Sequence, residues 1–159
     1  MINPDLTPEQ RAQVQDKLIA RLKAHPQIEA VFTRAQIAAT PYPRGHPQDW
    51  SQIQKARASY DPQRSGDVYA PLRRAVVAVP TPKAGATAVT THGSIWDYDR
   101  RVPMLFWRKG VTGMEQPQPV ETVDIAPTLA ALIGLKVPEG TFDGRCLDTD
   151  GGPADSCGK

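Results

Sequence analysis

Thr90-Thr91-His92-Gly93-Ser94, continuing through Ile95-Trp96-Asp97-Tyr98-Asp99 to Val102-Pro103, is the stretch from which the fold is read. An apolar run at 84–89 leads into it, and Val102-Pro103-Met104-Leu105-Phe106-Trp107 leads away. This pattern predicts strand, loop, strand, with one imidazole at the exit of the first strand. Gly93 gives the backbone freedom to turn tightly or to approach a ligand closely. In an open α/β sheet, ligands gather at the carboxyl ends of strands. His92 falls at such a place.

Working outward, Thr7-Pro8-Glu9-Gln10 predicts a helix start, with a Thr cap, proline at the first helical position and Gln at the third. Val14, Leu18 and Leu22, with Ile19 beside them, form one apolar stripe at helical spacing. His25-Pro26 ends that helix, because a residue before proline avoids the α region. Residues 30–33 predict a short strand, and residues 49–59 a second helix with Asp49 as its cap. A strand begins at Val68-Tyr69-Ala70, but Pro71 cannot donate to a ladder, so the strand either ends early or lies at an edge of the sheet. Residues 75–79 predict a further strand. Asp124 caps a last helix over 124–133, with Pro127 in its first turn and Gly134 ending it. Helices alternating with short strands point to an α/β class.

Composition narrows the function. A net charge of +2 over 159 residues, without a basic cluster beyond Arg73-Arg74, excludes a nucleic-acid partner. No apolar run approaches the ~18 residues needed to cross a bilayer, so no membrane partner is expected. Met1-Ile2-Asn3-Pro4-Asp5 lacks the basic and apolar regions of a secretory signal, and read alone it predicts a cytosolic chain. Sixteen prolines favour loops over long helices. Cys146 and Cys157 lie in a Gly/Asp/Pro-rich tail; by spacing alone, a disulfide or two thiols are both open.

Thr91-His92-Gly93-Ser94, Trp96-Asp97-Tyr98-Asp99, Val102-Pro103, the run from Val123-Asp124-Ile125-Ala126-Pro127-Thr128 to Gly134, and Asp143-Gly144-Arg145 together resemble the C-terminal part of the alkaline phosphatase superfamily. The likeness is to its monomeric bacterial branch with a Thr or Ser nucleophile. Arg64-Ser65-Gly66-Asp67-Val68 resembles that branch's lead-in to a sheet strand. The resemblance implies a partial alkaline-phosphatase-like α/β fold, the C-terminal portion of a larger mixed sheet flanked by helices. Residues 1–135 would belong to the catalytic domain and 136–159 to a tail. It implies a phosphate-ester hydrolase with two zinc ions, and His92 as a ligand of one of them. It also implies a periplasmic or secreted parent, which favours the disulfide.

In that family, one zinc takes an Asp and a His a helical turn apart plus a later His, which His92 matches. The other takes an early Asp, the nucleophile and an adjacent Asp-His pair. None of these partners occurs in this chain, and one histidine makes no zinc site. The site is therefore expected to need an upstream polypeptide, and the chain alone is expected to be inactive. Asp97 and Asp99 are read as hydrogen-bonding residues of the turn before Val102. His25 and His46 are read as helix-end and surface residues. Ser65 and Ser94 have no base in their motifs, so a hydrolase triad is not supported. The rival reading is a non-catalytic remnant, or a structural or binding module, that needs an upstream polypeptide.

Overall fold

The computed structural model describes residues 1–78 and 91–158. The chain divides into two units, residues 1–44 with 50–102 and residues 45–49 with 103–159.

In the first unit, helix α1 (Pro8–Ala24) starts where the capping pattern placed it. Gln10 N donates to Thr7 Oγ1 and Thr7 N to Gln10 Oε1, satisfying two backbone donors left open at a helix start. Strand β1 (Phe32–Thr33) runs directly into helix α2 (Arg34–Ala39), and helix α3 (Gln52–Ala58) follows. Both helices open with the same reciprocal box, Thr33 with Gln36 and Ser51 with Gln54. Helix α2 was not anticipated. The cap of α3 is Ser51; Asp49, expected in that role, ends a short 3-10 turn, Pro47–Asp49. Strand β2 (Val68–Tyr69) pairs antiparallel with β1, Phe32 opposite Tyr69 and Thr33 opposite Val68. The ribbon continues irregularly: Glu29 N donates to the Pro71 carbonyl and Arg73 N to Gln27 O. Pro71 thus contributes the acceptor it still possesses.

Several expected strands differ from what is observed. Residues 75–78 are not a strand: Ala75 has φ 59°, and Val76 N closes a turn onto Arg73 O. Val79 and the 84–89 strand lie outside the described residues. Residues 102–107 run without a ladder, because no neighbouring strand is present among the described residues. The sheet among the described residues is one antiparallel pair flanked by helices, in keeping with a partial α/β fold.

The core of the first unit is small. Ile37 of α2, Ala56 of α3, Trp50 and Ile95 are buried. Helix α1 buries none of its residues; Ile19 and Leu22 are half-covered, while Val14 and Leu18 are exposed.

The second unit is organised around a 3-10 turn (Thr122–Asp124) and helix α5 (Ile125–Leu132). Asp124 is buried, and its carboxylate accepts from Glu121 N and Arg145 N, both at 2.9 Å. Its carbonyl accepts from Thr128 Oγ1, which in turn accepts from Leu147 N. Gly134, at φ 68°, closes α5: its N–H donates to Ala131 O, and Leu135 N donates to Ala130 O. Gly144 lies so close to the Val123 backbone that a Cβ there would sit 2.2 Å from the carbonyl oxygen. The Asp143-Gly144-Arg145 motif is thus a contact requirement. Cys146 and Cys157 form a disulfide across a Cα–Cα distance of 5.9 Å.

Candidate functional site

His92 lies on the rim of a cleft of about 500 Å3 in the first unit. Its apolar floor includes Ile37 and Ala56, and its walls carry Tyr69, Lys55, Asp99 and Arg100. His92 and Gly93 are exposed. Gly93 has φ 98°, with nothing within 4 Å of where a Cβ would stand, so the glycine serves the turn and not a close approach.

The loop after His92 is held from three directions. Ser94 N donates to Asp99 Oδ2 at 2.6 Å, closing a turn onto helix α4 (Asp97–Arg100). Trp96 Nε1 donates to Leu72 O at 3.0 Å, and Ala75 N donates to the Tyr98 hydroxyl at 2.9 Å. Lys55, on α3 and only 10 % exposed, sets Nζ 3.0 Å from Asp97 Oδ1. Asp97 and Asp99 thus hold the loop by hydrogen bonds, the role the motif suggested for them.

These contacts set the local electrostatics. The Ser94 backbone N–H holds the Asp99 carboxyl below the usual range, with smaller help from the Ser94 hydroxyl and the His92 charge. The hydrogen bond from Lys55 does the same for Asp97. Burial raises Tyr69, opposed by Arg100. The cleft therefore offers one open imidazole over an apolar floor, beside a carboxylate already occupied as an acceptor. No hydroxyl is hydrogen-bonded to His92 among the described residues, so no nucleophile–base pair is assembled.

His25 accepts from Gln27 N through Nδ1 at 3.2 Å, as befits a helix end, and His46 lies in the loop before the 3-10 turn. No three His, Cys, Asp or Glu side chains are grouped to hold a metal among the described residues. One imidazole and an engaged Asp99 do not make a zinc site, so the described residues do not fit a zinc ion by themselves. Lys55, Tyr69 and Arg100 joined the site only through folding; the partners Lys55 and Asp97 stand 42 positions apart.

No family model matches the chain. It is 57 % identical over 152 residues to alkaline phosphatase PhoK of Sphingomonas sp, covering 96 % of this chain and 27 % of that protein. It is 45 % identical over 156 residues to alkaline phosphatase PhoD of Zymomonas mobilis, covering 98 % and 27 %. The crystal structure of wild-type alkaline phosphatase PafA superposes with a TM-score of 0.66 at 26 % identity, over 86 % of this chain and 24 % of that one. The chain spans about 27 % of the length of the curated relatives it matches.

Proposed function

We propose, on the likeness to alkaline phosphatases along nearly the whole chain, that it is the C-terminal part of an alkaline-phosphatase-like phosphate-ester hydrolase. The observation that carries the reading is 57 % identity across 96 % of the chain to an alkaline phosphatase. In this proposal His92 supplies one ligand to a zinc ion of a two-zinc centre. The nucleophile and the remaining ligands come from an upstream polypeptide. A zinc ion held in such a centre would supply Lewis acidity toward phosphoryl oxygens. What this chain contributes is position: the Ser94–Asp99 turn and the Trp96 and Tyr98 anchors present the imidazole outward. The parent is periplasmic or secreted, a reading supported by the Cys146–Cys157 disulfide, since such bonds persist in oxidising compartments.

The test is a chimera in which the whole chain replaces the homologous segment of the Sphingomonas enzyme. It is expected to hydrolyse an aryl phosphate, and His92→Ala is expected to abolish turnover and reduce bound zinc. The isolated, zinc-loaded chain is expected to show only background hydrolysis, because removing a nucleophile costs many orders of magnitude. A chimera indifferent to His92→Ala, or an active isolated chain, would refute the assignment.

A further inference from the structure

The contacts that hold the His92 turn lead to two kinds of support. Trp96 Nε1 donates to Leu72 O at 3.0 Å and Ala75 N to the Tyr98 hydroxyl at 2.9 Å, so both of these anchors end on residues 72–75. That segment follows β2 without regular structure, and Ala75 itself turns at φ 59°. The other support is a helix. Lys55 of α3 sets Nζ 3.0 Å from Asp97 Oδ1; Asp97 opens α4, whose Asp99 accepts from Ser94 N at 2.6 Å, two residues beyond His92. Helix α3 is a firm base. Ser51 and Gln54 cap it reciprocally, Ala56 is buried, and Arg57 Nε donates to Thr40 O at the end of α2. Helix α4 is the opposite: it has four residues and no side-chain cap bond. So short a helix does not hold its own shape in water. Its place, and with it the place of the turn, is set by what it touches.

The Lys55 side chain is 10 % exposed and that of Asp97 45 %. Drawing an ammonium out of water costs about what the pairing returns, and an apolar residue of similar volume in its place is often neutral for stability. Stability therefore gives little reason for a covered lysine here; geometry gives one. Lys55 lines the same cleft as His92, yet its ammonium is engaged by Asp97. We propose that Lys55 is a positioning residue: through Asp97 and α4 it fixes the direction in which His92 presents its imidazole, without itself touching substrate. The proposal rests on the reading of His92 as a residue of the phosphate-ester site. A displacement of about 1 Å in a reacting group costs on the order of 100-fold in rate, so a tether from a firm helix matters more to turnover than to stability.

The experiment places Lys55→Met in the Sphingomonas chimera; methionine keeps most of the length and removes the charge. The kcat for an aryl phosphate is expected to fall ~10- to 100-fold. KM and the inhibition constant of inorganic phosphate are expected to change by less than ~2-fold. Asp97→Ala is expected to cause the same loss, and the double variant no more than either alone, since both cut one tether. Amide exchange in the peptide carrying Ser94 is expected to quicken by ~10-fold while thermal unfolding of the whole protein is unchanged. A raised KM or phosphate constant with kcat retained makes Lys55 a substrate contact and overturns the proposal. Additive losses overturn it, and so does unchanged exchange at Ser94. A lower melting temperature with faster exchange throughout the protein leaves Lys55 a merely stabilising residue and overturns it as well. His92→Ala is read separately: a chimera indifferent to it sinks the functional reading, and exchange at Ser94 then decides the role of Lys55. Should the chimera be inactive or insoluble, the same exchange comparison is made on the full isolated chain. Faster exchange confined to the Ser94 peptide in Lys55→Met supports the tether there, and equal exchange overturns it.

Discussion

Thr128→Val isolates the hydroxyl that ties the tail to helix α5. Thr128 is 0 % exposed; its Oγ1 donates to Asp124 O at 2.6 Å and accepts from Leu147 N at 2.9 Å. Valine keeps the volume and the β-branch, so no cavity opens and the helix is little affected. What is lost is two hydrogen bonds, and the part-buried Leu147 N–H is left without its acceptor. With ~1 kcal/mol net for each of the two bonds and ~1 kcal/mol more for the stranded donor, the cost is about 3 kcal/mol. Thr128→Ser supplies the contrast: it keeps both bonds and removes one methyl, for about 1 kcal/mol. Valine is therefore expected to be the more damaging change, the reverse of what apolar burial alone would order. Urea unfolding gives the two costs, and amide exchange at Leu147 localises them. A valine variant within ~0.5 kcal/mol of the parent chain, or one more stable than the serine variant, would show that the hydroxyl does not hold the tail.

Gly144→Ala is expected to cost more than ~2 kcal/mol, since the new Cβ meets the Val123 carbonyl oxygen at 2.2 Å and backbone must move; unchanged thermal unfolding would contradict the packing. Removing the disulfide by Cys157→Ser opens a loop of sequence separation 11, which the chain-entropy account values at about 2.8 kcal/mol. Two alkylatable thiols in protein from an oxidising compartment would deny the bond. Asp148 is held below its ordinary value of 3.8, chiefly by the Ser156 N–H, with Asp150 N and the Ser156 hydroxyl assisting. Because the folded pKa is depressed, this support is present above about 3.8 and is lost as pH falls through the lower folded value. Asp148→Asn should flatten that acid limb of the stability curve, and an unaltered limb argues against the contact.

Local grammar was legible in the sequence wherever the decisive partners lie within a few residues. Thr7-x-x-Gln10 located α1, Gly134 its place after α5, and Asp99 its role in the His92 turn, since each bond spans five positions or fewer. The same signal, Thr33-x-x-Gln36 and Ser51-x-x-Gln54, marked α2 and the true start of α3, but a β-rich reading of 30–33 and the acidic Asp49 obscured it. Strands were less legible, because a strand exists through its partner: 75–78 and 102–107 have the composition, yet Ala75 turns away and 103–107 finds no ladder among the described residues. The motifs likewise named residues without their reasons. Gly144 against Val123, Thr128 between Asp124 and Leu147, and Lys55 on Asp97 join positions about 20 to 40 apart. His92 and its glycine could be singled out from the sequence; the cleft beneath them could not, because its walls come from α2, α3, β2 and α4 and meet only when the chain has folded.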